Sequence, residues 1–362
     1  MKSELIALTK NLGFDLCRVA ACSAPPHAAE FRAWLAAGCA GEMAWLERNQ
    51  DRRTDPQLVL PGAQSVIVLA MNYLADFEFQ ISDFTLEKSA RDEPNQKSEI
   101  RDQKFGRIAR YAWGDDYHDV IEKKLRVLDE WLTARGGRQR CYVDTGPVLE
   151  RDFAALAGAG WHGKSTMLIH PNLGTWFFLA EVLTTLALEA DAPLPDRCGT
   201  CTRCISACPT GAITAPQKLD ARRCVSYLTI ELKGSIPREL RPLIGDRIYG
   251  CDDCLNACPW NRFAQASQES AFAARDFVHG WTLRDFLALD DEGFRALFRK
   301  SPIKRIKRRG FLRNVCVALG NVGTPDDLPA LKNAALDPEP LIAEHAQWAI
   351  ARIAARETAP AE

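Results

Sequence analysis

Hydrophobic and polar positions in the first 75 residues follow helical and strand periods in turn. Apolar spacing predicts helices over 3–12 and 28–37, with a short strand over 15–20 between them. The run from 65 to 71 is apolar and β-branched, which is typical of a strand buried on both faces. This part of the chain is therefore predicted to mix helices and strands as an α/β fold.

A strongly amphipathic helix is the clearest feature of the next segment. Residues 85–104 are polar and charged, with few core-forming side chains, so we expect a surface excursion there. Apolar side chains at helical spacing predict a helix over 115–134, which Gly136 and Gly137 end. A short strand is expected over 140–143.

A turn, a helix and a hairpin are predicted after that strand. The turn at 144–147 leads into a helix over 148–157. Strands over 166–169 and 175–183 flank a Pro-Asn-Leu-Gly sequence, which is typical of a hairpin. Prolines just beyond residue 190 then mark a linker.

Eight of the thirteen cysteines follow a defined spacing. The first four form the C-x2-C-x2-C-x3-C-P run of bacterial-type ferredoxins, in which three thiolates hold one cluster and the fourth reaches a second cluster. The second burst is one cysteine short, and Cys224 supplies it. The spacing therefore predicts two 4Fe–4S clusters. Cluster one would be held by Cys198, Cys201, Cys204 and Cys258, and cluster two by Cys208, Cys224, Cys251 and Cys254.

Zinc and disulfides are weaker interpretations of these cysteines. Structural zinc sites use four-ligand groups such as paired C-x2-C, which this run is not. Disulfides form in oxidising compartments, and the N-terminus has no visible secretory signal, so a cytoplasmic protein is expected. The other cysteines have apolar neighbours and are predicted to be small buried hydrophobes. They are Cys17, Cys22, Cys39, Cys141 and Cys316.

The chain after residue 259 is helical in its pattern. Short helices are expected over 282–289 and 292–299, and longer ones over 311–319, 328–336 and 341–355. The last helices resemble one HEAT-type hairpin. A single unit of this kind cannot bury its own apolar face, so it should pack on the rest of the chain.

Charge changes this picture in one place. Hydrophobic residues make up 47% of the chain and the formal net charge is −1, which excludes a uniformly basic nucleic-acid binder. Eight basic residues and no acid nevertheless lie between Arg299 and Arg313. A phosphate-binding surface and a solvated helix face both explain this patch. Its centre consists of Lys304, Arg305, Lys307, Arg308 and Arg309.

The segment from Gly158 to Ser165 matches the nucleotide-binding pattern G-x4-G-K-[ST]. That pattern binds phosphate only between a preceding strand and a following helix. Here a predicted helix precedes the loop and a predicted strand follows it, so we reject an ATPase or GTPase function. Its glycines still allow backbone amides to approach a ligand closely.

A family resemblance covers the chain from Met1 to about Ile353 and rests on several motifs. They are Arg107-x-x-Arg110-Tyr111-x-x-Gly114-x-Asp116-Tyr117-His118, Val143-Asp144-Thr145-Gly146-Pro147-x-x-Glu150-Arg151, Gly160-Trp161-x-Gly163-Lys164, the first cysteine run, Cys224-x-Ser226-Tyr227-Leu228-Thr229 and Tyr249-Gly250-Cys251-Asp252. Together they resemble the epoxyqueuosine reductase family, the cobalamin-dependent iron–sulfur enzymes of tRNA queuosine synthesis. Many ferredoxins share the cysteine spacing, but its combination with the Asp144 turn is far more specific.

The resemblance implies three parts and a reaction. Residues 1–189 would form an α/β cobalamin-binding domain like that of reductive dehalogenases, 190–262 a ferredoxin-like module with two 4Fe–4S clusters, and 263–362 an α-helical, HEAT-like region that binds tRNA. The enzyme would be an oxidoreductase that removes the epoxide oxygen of epoxyqueuosine at the tRNA wobble position. Family members often have a longer helical tail. A flavodoxin or ferredoxin would donate electrons, and nothing demands more than a monomer.

Loss of an epoxide oxygen needs two electrons and an acid, which gives the site residues their implied roles. Asp144 would be the general acid, presented by a rigid strand end, although it could instead form the turn or cap the next helix. Arg53 would touch the corrin periphery or be an exposed loop arginine. His118 is interpreted as a surface or capping residue. Asp144 would also contact the corrin, and the further contacts would be Tyr111, Trp161, Lys164, Ser165, Leu168, Ser226 and Asp252. Core packing could also explain the two aromatic residues, and loop hydrogen bonds could explain Ser226 and Asp252.

Two other functions use the same cysteines. A ferredoxin-type electron carrier does not need the 197 residues that precede the first cluster cysteine. A reductive dehalogenase of small molecules usually has an export signal, and it has no use for the basic patch.

Overall fold

The computed structural model describes residues 1–75 and 104–358. The surface excursion expected at 85–104 therefore lies outside the described residues, apart from its last residue. The strands are β1 (Leu16–Ala21), β2 (Ser65–Asn72), β3 (Arg107–Ile108), β4 (Gln139–Tyr142), β5 (Trp161–His162), β6 (Leu168–Ile169), β7 (Phe177–Thr184), β8 (Ile213–Ala215), β9 (Lys218–Leu219) and β10 (Arg247–Tyr249).

Sixteen α-helices occur in this part of the chain. They are α1 (Lys2–Asn11), α2 (Ala28–Ala36), α3 (Ala44–Arg48), α4 (Gln50–Thr54), α5 (Tyr117–Thr133), α6 (Glu150–Leu156), α7 (Arg203–Ser206), α8 (Val225–Ile230), α9 (Arg241–Ile244), α10 (Asp253–Asn256), α11 (Phe277–Gly280), α12 (Leu283–Leu287), α13 (Asp291–Leu297), α14 (Lys307–Val322), α15 (Leu328–Ala334) and α16 (Pro340–Thr358). No helix in the described ranges is long and apolar enough to cross a membrane.

The described residues form two compact units, each built from separate stretches of the chain. The first unit contains Met1–Ala75, Asp115–Arg222 and Asp253–Phe272. The described part of the second contains 104–114, 223–252 and 273–358. The predicted division at 189 and 262 stays a prediction, and the segment that carries the cluster cysteines contributes to both units.

A four-stranded sheet in the order β1-β2-β7-β4 organises the first unit. All of its pairings are antiparallel, and Val66 of β2 lies opposite both Ala20 and Leu183. Every residue of β2 is buried, as the continuous apolar run predicts, because a strand lies on each side of it and α6 packs on the sheet. The mixed helices and strands were predicted correctly, but the sequence pattern did not reveal that the sheet is antiparallel.

The hairpin predicted around the Pro-Asn-Leu-Gly turn is wrong. The strand β6 pairs with β5, and β7 pairs with β2 and β4 inside the sheet. A tight bridge between His170 and Gly174 separates β6 from β7. The true hairpin turns at Gly163, whose N–H donates to the Met167 carbonyl at 2.8 Å. This hairpin occupies most of the G-x4-G-K-[ST] segment. The helix α6 precedes the segment, and the next described helix is α7, so the segment is not a phosphate-binding loop.

The second unit has a core of helices around α14, which packs on α12, α16 and β10. Aromatic rings fill the space beside α14, with Phe298 and Phe311 at 4.8 Å between ring centroids. The predicted helices over 311–319 and 341–355 are both longer in the structure. The packing of α16 on α14 provides the partner that the single helical hairpin requires.

Four of the five remaining cysteines are less buried than predicted. Only Cys316 is fully buried, while Cys17, Cys22, Cys39 and Cys141 are half-buried. Partial burial is nevertheless enough to raise the pKa of the Cys141 thiol to about 12 and that of Cys17 to about 11. The thiols of Cys17 and Cys141 therefore stay protonated and unreactive near neutral pH.

Arg313, the last residue of the basic patch, makes several polar contacts inside the second unit. Its side chain is 1% exposed and donates to the carbonyls of Leu228, Leu232 and Gly234 at 2.7–2.8 Å. It also donates to Asn314, which bonds the Thr229 and Ile248 carbonyls in turn. This network ties α14 to α8 and β10, and Arg313 is not available to a nucleic acid.

We expect Arg313→Ala to destabilise the protein by about 3 kcal/mol, because it leaves one buried and two partly buried carbonyls without their charged donor. Thermal unfolding of the anaerobic protein would show this as a clear drop in midpoint. Arg299→Ala, at an exposed position in the same patch, is the matched control. An equal midpoint for both variants would contradict the structural role of Arg313.

Candidate functional site

Four of the predicted cluster-one ligands line a single cavity in the first unit: Cys198, Cys201, Cys204 and Cys258. Ile169, Pro259 and Trp260 form its apolar wall. Burial, together with the charges of the other three sulfurs, raises the pKa of the Cys258 thiol to about 11, because four thiolates in one place repel each other. Such a group is stable as thiolates only around a cationic centre, which an iron–sulfur cluster supplies.

The β5–β6 hairpin forms another side of this cavity. Lys164 and Ser165 line it, and the ammonium group of Lys164 donates to the Gly199 carbonyl at 2.6 Å. The indole of Trp161 meets that of Trp260 edge to face at 5.0 Å. Lys164 and Ser165 were predicted as corrin contacts, and the structure brings both to the cluster-one cysteines.

Two of the predicted cluster-two ligands lie in the first unit. The sulfur of Cys208 accepts the Ala212 N–H at 3.2 Å, a type of bond that tunes the potential of a cluster. Cys254 lies in α10, which packs on α7 and therefore on the helix that carries Cys204.

The other two ligands lie in the second unit. Cys224 immediately precedes α8, and Cys251 follows β10 after Gly250. The Gly250 N–H donates to the Thr229 hydroxyl at 3.0 Å, which joins the end of β10 to α8. The complete ligand set of cluster two stays a prediction.

Asp144 stands at the end of β4 in a left-handed backbone conformation, with φ of 58°. Its side chain is 54% exposed, and its Oδ2 accepts the Tyr117 hydroxyl at 2.6 Å. It does not cap the next helix, because Leu149 occupies the N-cap position of α6 without a side-chain bond. One alternative role of Asp144 is thereby removed, and its carboxylate is held at the surface.

Aromatic rings position the group that holds Asp144. The ring of Tyr117 stacks on Phe178 at 4.2 Å and on His118 at 4.1 Å. His118 bonds Asp116, the N-cap residue of α5, at 2.8 Å, and its other ring nitrogen lies 3.8 Å from Asp144. His118 therefore belongs to a cap, as interpreted, and also faces the candidate acid. Sequence reasoning missed Tyr117, although the resemblance motif contains it.

Arg53 is 7% exposed, so the alternative of an exposed loop arginine is wrong. Its guanidinium donates to the Val148 carbonyl at 3.0 Å and lies 5.1 Å from the Trp45 ring. Burial lowers its pKa, and the nearby carboxylates of Glu150 and Asp144 act in the opposite direction. Arg53 and Asp144 therefore share one electrostatic environment.

A buried pair of carboxyl groups lies behind the Asp144 turn, and sequence reasoning missed it. Glu181 is 0% exposed within β7, opposite Val68 and Tyr142. Burial raises the pKa of Glu150 to about 8, with a further contribution from the charge of Asp144. Burial, followed by the charge of Glu150, also raises the pKa of Glu181 well above its usual value. The pair therefore retains a proton near neutral pH. The one acidic residue in the apolar run of β7 was the available signal.

Polar donors near these residues lack partners. The indole N–H of Trp161 and the Nε of Arg53 are buried and make no hydrogen bond to any described residue. Leu168, also a predicted corrin contact, is buried in β6. Unpartnered buried donors are costly unless a ligand or water accepts from them.

The predicted contacts of the second unit make local bonds. Asp252 accepts the Arg110 N–H at 2.7 Å, so its alternative role as a loop hydrogen bonder is present. Tyr111 has its ring centroid 6.0 Å from that of Tyr249. Ser226 lies in the first turn of α8, next to Cys224.

The basic patch is less uniform than the sequence suggests. Arg305 pairs with Glu231 at 2.7 Å, and Arg309 with Glu339 at 3.2 Å. Arg308 is half-buried, pairs with Asp337 at 2.6 Å and donates to the Leu289 carbonyl. Acids distant in sequence thus neutralise three of the five central residues, and the other two, Lys304 and Lys307, are exposed lysines.

Comparison with known proteins identifies relatives over almost the whole chain. Residues 53–145 match a family described as "Epoxyqueuosine reductase QueG, DUF1730", and residues 197–261 match a "4Fe-4S double cluster binding domain". The epoxyqueuosine reductase of Xanthomonas campestris pv. campestris is 41% identical over 97% of this chain and 95% of its own. That of Escherichia coli K12 is 39% identical over 94% of this chain and 86% of its own.

Solved structures of the same kind are also similar to this chain. A crystal structure of epoxyqueuosine reductase with an epoxyqueuosine-modified tRNA-Tyr stem loop has a TM-score of 0.86 at 32% identity, covering 97% of this chain and 90% of that one. A Bacillus subtilis epoxyqueuosine reductase, with its catalytic loop swung out of the active site, has a TM-score of 0.83 at 31% identity with the same coverage.

The raised pKa of Glu150 predicts how stability depends on pH. The folded protein retains a proton up to about pH 8 that the unfolded chain releases near its ordinary value of 4.5. Stability should therefore be greatest below that value and fall as the pH rises toward 8. We expect Glu150→Gln to flatten this fall and to gain at least about 1.4 kcal/mol at pH 8, the free energy of one pKa unit.

Apparent unfolding midpoints between pH 5 and 8.5, measured anaerobically, test this expectation. Glu47→Gln, at an exposed helical position, is the control and should follow the wild-type curve. Parallel curves for Glu150→Gln and the wild type would contradict a buried protonated carboxyl.

Proposed function

The chain belongs to the epoxyqueuosine reductase family, and on this premise we propose that it removes the epoxide oxygen of epoxyqueuosine in tRNA to give queuosine. The observation that carries this proposal is the 41% identity to a curated family member over 97% of the chain. The match to the family model covers residues 53–145, which include Asp144, and the match to the double-cluster domain covers the eight cysteines. A bare electron carrier would have no need of the 197 residues that precede Cys198, so that alternative is not favoured.

Two 4Fe–4S clusters are the electron carriers of the enzyme, and the matched double-cluster domain contains all eight cysteines of the predicted spacing. The cavity lined by Cys198, Cys201, Cys204 and Cys258 fits one cluster, because its sulfurs converge and its wall is apolar. Cys208, Cys224, Cys251 and Cys254 would hold the other cluster. Ala212 contributes an N–H···S bond at Cys208.

Cobalamin is the second cofactor, and it supplies a cobalt centre that accepts single electrons and becomes strongly reducing. The residues present can bind the amide side chains at the edge of the corrin ring. Buried N–H donors of Trp161 and Arg53 lack partners and could bond amide oxygens. We assign the corrin contacts to Arg53, Tyr111, Trp161, Lys164, Ser165, Leu168, Ser226 and Asp252, with Lys164 and Ser165 also next to the cluster-one cysteines.

The protein supplies the proton for the departing oxygen. Asp144 is the proposed general acid, because its carboxyl is exposed at the end of a strand where a substrate can reach it. Tyr117 fixes the orientation of this carboxyl through Oδ2, and Phe178 and His118 fix Tyr117. Glu150 holds a proton near neutral pH close to Asp144, and it is therefore placed to restore the acid after turnover.

The helical part of the second unit is the proposed tRNA contact. The exposed ammonium groups of Lys304 and Lys307, together with the exposed guanidinium groups of Arg305 and Arg309, would meet phosphates. Arg308 supports the surface by its ion pair with Asp337. A small flavodoxin or ferredoxin is the proposed electron donor, and a monomer suffices for all these roles.

Deletion of the gene should leave epoxyqueuosine in cellular tRNA, and the wild-type gene should restore queuosine. Asp144→Ala should fail to restore it, because loss of a general acid typically lowers the rate by about 10²–10⁴-fold. Nucleoside mass spectrometry of purified tRNA measures both species.

Iron content and retained corrin of the purified Asp144→Ala protein are the controls, and both should equal wild type. Asp129→Ala, at a position on α5 outside the site, should complement fully. Normal queuosine in the deletion strain would overturn the function, whereas full activity of Asp144→Ala would remove only the acid.

Reversal of charge at Lys304 and Lys307 should weaken tRNA binding about tenfold or more at low salt and make its salt dependence shallower. Fluorescence anisotropy with a modified anticodon stem loop, recorded across a salt series, gives both quantities. The control is Lys10→Glu with Lys123→Glu, the same charge change at exposed lysines of the first unit. Unchanged affinity of the patch variant would instead indicate that these lysines belong to a solvated helix face.

A further inference from the structure

Three side chains of the type that binds metal ions converge in the first unit, in a group that the reaction does not use. His27 immediately precedes α2, Asp152 lies in α6, and His162 lies in β5. The His27 Nδ1 lies 2.7 Å from the Asp152 Oδ1, and the His162 Nε2 lies 3.1 Å from the same oxygen. All three ligand atoms lie within 4.8 Å of one another.

The bonding of these groups is incomplete. The Nε2 of His162 is buried and lies 3.1 Å from the Asp152 Oδ1, without a hydrogen bond to any described residue. The other carboxylate oxygen of Asp152 accepts the backbone N–H of His27 at 2.9 Å, which fixes the orientation of the carboxylate. A simple hydrogen-bonded trio would not leave a buried ring nitrogen unsatisfied, and a metal ion accepts such a nitrogen directly.

We propose that His27, Asp152 and His162 bind a divalent transition metal ion of the zinc type. Two imidazoles and a carboxylate are a ligand set that Zn²⁺ prefers over Mg²⁺ or Ca²⁺. Ligand atoms around a tetrahedral zinc with bonds of about 2.0 Å lie about 3.3 Å apart, so the two imidazole nitrogens need to move slightly away from the carboxylate oxygen and closer to each other. The side chain of His27 is 45% exposed, which gives the ion a path from solvent and leaves a water in the fourth position.

The position of the site suggests what the ion does. It joins three elements that are distant in sequence: the start of α2, the first turn of α6 and the β5–β6 hairpin. That hairpin also carries Trp161 and Lys164, and Lys164 lines the cluster-one cavity. The bound ion would therefore hold the hairpin in place beside the cysteines. This role is structural and does not depend on the identity of the reaction.

The test uses the anaerobic protein with both clusters assembled, so that the cluster cysteines are not available to zinc. After dialysis against a chelator, the protein is incubated with ZnCl₂, desalted and analysed for zinc and iron. We expect about one zinc ion per chain in the wild type. His162→Asn should weaken zinc affinity by about 100-fold or more, since even outer-shell changes cost 10–100-fold. His279→Asn, which removes an exposed histidine from the second unit, should bind zinc as the wild type does.

X-ray absorption at the zinc edge of the wild-type protein gives a result that no variant's folding can affect. The proposal requires a first shell of nitrogen and oxygen at about 2.0–2.1 Å, whereas cysteine-bound zinc has sulfur at about 2.3 Å. Failure of the wild type to retain zinc, a sulfur shell, or equal binding by His162→Asn would each overturn the proposal.

Discussion

Mutual repulsion of thiolates at one cavity is the constraint on which the rest of the first unit depends. Four sulfurs converge there from two distant parts of the chain, and their proximity raises the pKa of Cys258 in addition to the effect of burial. A group of this kind needs a cationic centre to be stable. Metal binding therefore contributes directly to folding at this point, where the short helices α7 and α10 pack on each other.

A second electrostatic arrangement lies behind the Asp144 turn. Arg53, Glu150 and Glu181 are charged or ionisable groups in an environment that disfavours charge, and the structure resolves this by keeping a proton on the carboxyl pair. The sheet tolerates these buried groups because β7 lies in its interior, between β2 and β4. The consequence is a protonated group near an exposed aspartate that Tyr117 orients.

The β5–β6 hairpin connects the cysteine cavity to the group formed by His27, Asp152 and His162. It contributes Lys164 and Ser165 to the cysteine cavity, and His162 to the histidine–aspartate group. Its turn depends on glycine, because a side chain at Gly163 would contact Met167 and Ile169. A sequence that matches a nucleotide-binding loop therefore serves as a compact support for metal chemistry.

The sequence by itself determined the features whose signals are local. The cysteine spacing and the apolar periods of β2, α5 and α16 require only neighbouring residues, and the structure has these strands and helices. The resemblance supplied the family and Asp144. Only the tertiary structure decided which distant residues contact each other. It paired β6 with β5, buried Glu181 behind Asp144, and neutralised Arg308 with Asp337. Pairing, burial and charge compensation depend on residues that are distant in sequence, and no local pattern records them.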